Sequence, residues 1–279
     1  ADAEAVALEK LDGSSWIKRR ETLDGELAET AKALIALAHQ RAARTVPAIA
    51  ADPDVYERFV AGFPYSETAD QTRAIDAIRS DLASGTAMDR LVIGDVGYGK
   101  TEVALRAAAF AALAGGQVVL AAPTTVLVRQ HYELFRARFE GTGVTVAMLS
   151  SSSTPAEKRA ALAGLADGSI GIVVGTSAVA GKSVRYRSLQ LVILDEEQRF
   201  GAAHKARLRA LHSGHFLALS ATPIPRTLQN ALVGLQQLSV IATPPARRQP
   251  IRTVVSDWDD TSVRAALLRE RARRGQSFV

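Results

Sequence analysis

Cysteine is absent from all 279 residues. That excludes disulfides and cysteine-ligated zinc, and it suits a reducing compartment such as the cytoplasm. Long apolar runs are missing too. None approaches the roughly 18–20 residues of a membrane span, so no membrane partner is expected. No N-terminal signal pattern precedes the first charged residues, no internal repeat is visible, and the chain starts on Ala rather than Met. It ends on Arg274-Gly275-Gln276-Ser277-Phe278-Val279, which reads as a strand just starting, so a piece of a longer protein is expected. What is present is ample core material, with 47% hydrophobic residues. The net charge of +5 suits a polyanionic partner without demanding one.

The most informative stretch is Gly94-Asp95-Val96-Gly97-Tyr98-Gly99-Lys100-Thr101, preceded by the apolar run Leu91-Val92-Ile93. It matches the pattern G-x-x-x-x-G-K-[ST] at every fixed position, and a strand before it and a helix after it supply the context that the motif requires. Gly94, Gly97 and Gly99 let consecutive backbone N–H groups point inward at an anion, and the following helix N-terminus adds its positive dipole end. Lys100 then supplies a charge for the β- and γ-phosphates of a nucleotide, and the Thr101 hydroxyl is a hard oxygen ligand for Mg²⁺. The structural alternative is a glycine-rich turn that fits by chance.

From Arg90 onward, strands and helices alternate. Strands are expected at 90–94, 117–122, 144–149, 170–174, 189–194, 215–220 and 237–242, and helices at 100–114, 125–139, 155–166, 202–211 and 225–233. The strands are continuous apolar runs, as in strands buried on both faces. The expected fold class is therefore α/β, a parallel sheet flanked by helices. Residues 1–48 divide into a linker and a long helix from about Trp16 to Arg44 that Pro47 ends. A short helix starts at Asp52-Pro53, and Thr68 opens another that runs to about Gly85. Residues 49–248 form the main domain. Beyond Pro244 and Pro245, residues 249–279 carry a short strand, a helix at about 260–274 and the last strand.

Further chemistry gathers at the ends of expected strands. Asp195 and Glu196 follow Leu191-Val192-Ile193-Leu194. Paired with the phosphate loop, Asp195 is placed to hold magnesium and Glu196 to orient or deprotonate an attacking water; alone, they would read as helix caps. Ser220-Ala221-Thr222 closes another strand with hydroxyls that can reach the carboxylate loop, or forms an ordinary turn. Gln71 completes a Thr68-x-x-Gln71 capping box, yet its amide also matches the donor and acceptor of an adenine edge, and Phe63 could stack on the ring. Pro123-Thr124 and Gly175-Thr176 suit either phosphate contacts along a nucleic-acid strand or helix N-caps. Two decoys fail. Gly181-Lys182-Ser183 lacks the upstream glycine, and His212-x-x-His215 has no further ligand pattern around it.

Together these stretches resemble the first RecA-like P-loop NTPase domain of superfamily-two DNA translocases, and within them the family of bacterial transcription-repair coupling factors. The resemblance covers about residues 14–279. It is carried by Phe63-Pro64-Tyr65, Asp70-Gln71, Gly99-Lys100-Thr101-Glu102-Val103-Ala104, Asp195-Glu196-Glu197-Gln198-Arg199-Phe200-Gly201, Ala221-Thr222-Pro223-Ile224-Pro225-Arg226 and Ile241-Ala242-Thr243-Pro244-Pro245-Ala246-Arg247-Arg248. RecG-type branch-migration helicases share much of this, but typically read Gln-His where this chain has Glu197-Gln198. The resemblance implies ATP and Mg²⁺ as cofactors, Phe63 and Gln71 on adenine, and Lys100, Asp195 and Glu196 in hydrolysis. It further implies Gln198, Ser220 and Thr222 in coupling hydrolysis to movement, and Pro123, Thr124, Gly175 and Thr176 along double-stranded DNA. For a full-length protein it implies RNA polymerase and excision-repair proteins as partners, and a second RecA-like domain that begins after residue 248. Two alternatives stand beside a coupling-factor motor: a branch-migration helicase, or a nucleotide- and DNA-binding module without turnover. Ser150-Ser151-Ser152-Ser153 departs from the family's usual Ser-Arg-Phe, which puts a basic DNA contact there in doubt.

Overall fold

The computed structural model describes residues 19–25, 29, 32, 35, 36, 43–211, 214–221, 236–246, 248, 253 and 255–278. The chain divides into two units, residues 1–245 and 246–279. The first is built on one seven-stranded sheet in the order β3-β4-β2-β5-β6-β1-β7, with every pair parallel. Its strands are β1 (Asp89–Gly94), β2 (Gln117–Ala121), β3 (Val146–Leu149), β4 (Ile172–Gly175), β5 (Leu189–Leu194), β6 (His215–Ser220) and β7 (Gln237–Ile241). Among the described residues from Pro53 on, the helices of this unit are α1 (Pro53–Ala61), α2 (Ala69–Ala83), α3 (Lys100–Leu113), α4 (Thr125–Arg138), α5 (Pro155–Asp167) and α6 (Ala202–Ala210).

Side-chain alternation sorts each strand between two cores. Val92 of β1 packs with Tyr56 and Phe59 of α1, Ile75 and Ile78 of α2, and Val128 and Phe135 of α4. Its neighbours Leu91 and Ile93 face the other way, towards Leu165 of α5 and Leu208 of α6. Most of α3 is buried. Ala107, Ala108, Ala109 and Ala111 let it lie close to the sheet, and alanine also has the highest helix propensity.

The helix starts follow local chemistry. Asp52 caps α1, with Pro53 in its first turn. Thr68 with Gln71, and Thr154 with Glu157, form reciprocal capping boxes at α2 and α5, each cap contributing about 1 kcal/mol. Upstream, residues 19–25, 29, 32, 35 and 36 are helical and exposed. Thr45 bridges Thr86, and the Val46 and Ile49 N–H groups donate to the Gly85 and Leu82 carbonyls, stitching this segment to the end of α2.

The strand order creates a crevice. From β1 the chain crosses past β6 and β5 to β2, whereas from β6 it travels the opposite way to β7. Neighbouring strands whose connections depart in opposite directions leave an opening at their carboxyl ends, where ligands of open α/β sheets bind. The phosphate loop and Ser220 both lie on that rim.

Some expectations shift. The strands expected at 144–149 and 170–174 are shorter or displaced, β3 and β4 starting two residues later than expected. The helix at 225–233 falls outside the described residues. In the second unit, α7 (Asp260–Ala272) forms under an Asp259 cap, but residues 253, 255–259 and 275–278 form no strand. Strands need partners for their backbone groups, and none occurs among the described residues of that unit.

His215 opens β6 at the opposite end of the sheet from the crevice. Its Nδ1 accepts the Met88 N–H at 3.3 Å, while the buried Nε2 has no partner. Burial pushes its pKa below the ordinary value. The unfolded chain therefore takes up the proton first as pH falls through about 6.5, and stability falls with it until the folded form also protonates. Replacing His215 by Gln should flatten the fall in melting temperature between neutral and mildly acidic pH. An unchanged slope would refute this assignment.

Candidate active site

Two loops and a strand end lie side by side: residues 95–99 after β1, 195–199 after β5, and Ser220 at the end of β6. Gly94 ends β1 against Ile241 of β7, and a Cβ there would stand 3.2 Å from the Ile241 Cβ. Gly97 and Gly99 adopt left-handed φ of +79° and +85°, conformations that glycine reaches without steric penalty. Helix α3 then begins at Lys100 with no side chain capping its first turn, unlike α1, α2, α4 and α5. The Lys100 ammonium, buried at the base of the loop, donates to the Gly94 carbonyl at 2.7 Å and the Asp95 carbonyl at 3.1 Å. A helix N-terminus without a side-chain cap, a lysine at its root and glycine backbone are the features that accept a phosphate chain.

Gln71 fills the structural role read from the sequence and adds a tie to the phosphate loop. Its Oε1 accepts the Thr68 N–H at 2.9 Å and its N–H donates to Thr68 Oγ1 at 3.3 Å, completing the capping box. Its Nε2 donates to the Tyr98 carbonyl inside the phosphate loop at 2.8 Å. An amide oxygen has a second lone pair and the NH₂ a second hydrogen, so adenine pairing is compatible with both ties. Phe63 packs edge-on to Tyr65, with the Arg106 and Arg138 guanidinium groups 5.7 and 5.6 Å from its ring centre.

The carboxylates are held tightly. The Asp195 N–H donates to the Ala121 carbonyl at 2.9 Å, which carries the β2–β5 pairing one residue beyond the strand. Asp195 Oδ2 lies 2.7 Å from His131 Nε2. An ionised carboxylate only accepts, so Nε2 carries the hydrogen. Glu196 takes the left-handed conformation at φ 52° and ψ 49°, a strain of about 1–2 kcal/mol for a residue with a Cβ. A hydrogen-bonded relay then leads away from it. Gln198 Nε2 donates to Glu196 Oε2 at 2.5 Å, and Ser220 Oγ donates to Gln198 Oε1 at 3.1 Å. Thr222 lies outside the described residues. Mg²⁺ usually takes one or two carboxylates together with substrate phosphates rather than an all-protein cage. The Asp195 carboxylate and Thr101 hydroxyl fit that donor set.

The residues read as DNA contacts occupy the adjoining rim. Thr124 caps α4 by accepting the Leu127 N–H at 3.3 Å, and Thr176 caps the 3₁₀ turn Ser177–Ala180 by accepting the Ala178 N–H at 3.4 Å. The Ala122 N–H donates to the Gly175 carbonyl at 2.9 Å, setting the Pro123-Thr124 and Gly175-Thr176 turns side by side. Gly175 also has a packing role, since a Cβ would lie 2.3 Å from the Leu149 carbonyl oxygen. The serines at 150–153 fold on themselves, the Ser150 N–H donating to Ser153 Oγ and the two hydroxyls of Ser150 and Ser152 pairing at 2.7 Å.

Three ties escaped the sequence reading. His131 grips Asp195. Asp70 Oδ2 accepts the Ala242 and Thr243 N–H groups at 2.9 and 2.7 Å, and a side-chain hydrogen bond with Thr243, followed by those two backbone bonds, holds its carboxyl below the ordinary value. Glu102, in the first turn of α3, pairs with Arg106 and Arg138. Only His131 left a trace, because Val128, His131 and Phe135 share one helical face.

The DEAD/DEAH box helicase family model matches residues 68–231. The transcription-repair-coupling factor of Rickettsia typhi is 44% identical over 278 residues, covering 98% of this chain and 25% of its own length. That of Escherichia coli K12 is 44% identical over 276 residues, covering 99% and 24%. The chain thus spans about a quarter of the length of the curated relatives it matches. A solved structure of RecG bound to a three-way DNA junction superposes with a TM-score of 0.77 at 32% identity, over 92% of this chain and 35% of that one.

A Cβ on Gly99 would sit 2.2 Å from Gln71 Nε2, in a conformation that disfavours side chains. Gly99→Ala should therefore displace the Gln71 amide and weaken ADP binding, measured by titration calorimetry, while circular dichroism stays unchanged. Unaltered ADP affinity would rule out this loop as the phosphate cradle.

Proposed function

The chain belongs to the DEAD/DEAH box helicase family, and from that premise we propose that it is the N-terminal motor half of an ATP-dependent translocase on double-stranded DNA. In the full-length protein that motor would displace stalled RNA polymerase and bring in excision-repair proteins, in the bacterial cytoplasm. No helix among the described residues is long and apolar enough to cross a membrane. The observation that carries the reading is the relay from Glu196 through Gln198 to Ser220. It joins a hydrolytic carboxylate to the end of β6, the strand beside the phosphate loop's own strand, as a motor that senses its nucleotide requires.

Each residue has a distinct task. The α3 N-terminus and Lys100 would bind and orient the β- and γ-phosphates, and Phe63 and Gln71 would select adenine. Bound magnesium would neutralise charge that develops on the phosphates, held by Thr101 and Asp195. Glu196 would align the attacking water and take its proton. Thr222 would join Ser220 and Gln198 in coupling. Pro123, Thr124, Gly175 and Thr176 would follow the DNA backbone, each capping hydroxyl using its lone pair on an N–H and keeping its hydrogen for a phosphate oxygen. Residues 1–48 would be the linker and helix leading into the motor domain, residues 49–248, and a second RecA-like domain starting at 249 would complete the cleft.

The likeness to RecG supports a second reading, branch migration on forked DNA. The relay favours the first, because it uses the Gln198 amide as acceptor and donor at once, where RecG-type enzymes are expected to carry histidine.

Affinity capture with the full-length protein should retain RNA polymerase. Capture of none, together with unwinding of forked DNA, would sink the coupling-factor reading in favour of the RecG-like one. Lys100→Ala should lower ATP turnover by about 10²–10³-fold, the loss typical when a transition-state donor is removed. The 279-residue chain alone should hydrolyse ATP far more slowly than the full-length protein, and equal rates would contradict a shared cleft.

A further inference from the structure

Helix α4 meets the nucleotide site at two places and the candidate DNA rim at a third. It begins at the Thr124 cap, and its sheet-facing side carries Val128, His131 and Phe135, all buried. Seven residues from the cap, about 10 Å along the axis, His131 donates to Asp195 Oδ2 at 2.7 Å. The His131 and Asp195 side chains are only 9% and 10% exposed. A further seven residues on, Arg138 forks onto Glu102, its two terminal nitrogens 2.8 and 3.2 Å from the carboxylate oxygens. Glu102 stands two residues beyond Lys100 and also accepts Arg106 Nε at 2.6 Å.

The hydrolytic roles assigned above leave His131 without a task. Stability alone does not call for it, since well-packed apolar residues of similar volume often replace a buried polar pair at little cost. What a histidine adds is direction. Its N–H fixes one carboxylate oxygen, and so sets where the other points, as partners of metal-binding side chains do. A packed helix moves as a unit, so a shift at its Thr124 end is passed to His131 and Arg138 together.

We propose that α4 transmits DNA occupancy at the Pro123-Thr124 rim to the ATP site, with His131 as the positioning residue for the Asp195 carboxylate. This rests on the translocase reading, through the placement of DNA on that rim. In a resting arrangement Asp195 would be held slightly off its working direction. Phosphate contacts at Thr124 would then move α4 and bring the carboxylate and the first turn of α3 into register.

The test uses the full-length protein with His131→Leu and His131→Gln, since glutamine returns an N–H donor to roughly the same place. Two quantities are read: the factor by which double-stranded DNA stimulates ATP turnover, and the gain in ADP affinity on adding Mg²⁺. His131→Leu should lose about 10–100-fold in the first, the usual effect of removing such a partner, and most of the second. Its ADP affinity without Mg²⁺ should stay as in the unsubstituted protein, and His131→Gln should recover both quantities in part. The role is overturned if His131→Leu keeps full stimulation and the full Mg²⁺ gain. It is equally overturned if Mg²⁺-free ADP affinity collapses alongside them, or if glutamine rescues nothing. A different result, no DNA stimulation in the unsubstituted protein, would overturn the translocase reading itself; the Mg²⁺ measurement would then still judge the His131–Asp195 contact.

Discussion

Parallel pairing of all seven strands is the constraint on which the rest of this molecule depends. It brings every carboxyl end to one rim of the sheet, and with those ends come the phosphate loop, the paired carboxylates and the hydroxyl-bearing turns. At the opposite rim His215 makes a structural contact with Met88. Because β6 lies between β5 and β1, the Glu196 relay reaches Ser220, beside the phosphate loop, without crossing the core. The crevice between β1 and β6 arises from strand order alone.

Polar ties then fix what the sheet only brings near. Gln71 joins the cap of α2 to a carbonyl of the phosphate loop, and the adjacent Asp70 clasps the backbone just after β7. Two neighbouring side chains thus tie one helix start both to the nucleotide site and to the segment leading out of the first unit. On the other side, Arg138 and Arg106 neutralise Glu102 within the buried first turn of α3. Charges buried this deeply persist only when paired, so each pair fixes a geometry as well as balancing a charge.

The arrangement also shows how a structural role leaves room for the other reading of several residues. Thr124 and Thr176 are N-caps, and remain capable of donating to a phosphate. Gln71 belongs to a capping box and holds the Tyr98 carbonyl, and its amide has a further hydrogen and lone pair beyond those two bonds. Gly175 stands where a DNA contact was expected, but its missing side chain is required by the approach of Leu149. For Thr124, Thr176 and Gln71 the structural role is compatible with the proposed one, because capping uses only part of each group's hydrogen-bonding capacity.

Residues 94–101 announced a phosphate site unaided, because its donors are consecutive backbone groups and the adjoining Lys100, all within eight positions. The seven strands were equally legible, the inner ones as apolar runs buried on both faces; β3 and β4 start two residues later than expected. What the sequence could not reveal was which distant residues meet. His131 and Asp195 are 64 positions apart, Asp70 and Ala242 172, Glu102 and Arg138 36. Spacing carries no information about such pairs, for they are set by the order of strands across the sheet rather than along the chain. The chemistry available to this protein was therefore written locally, while the partners that hold its carboxylates were decided only when the sheet assembled.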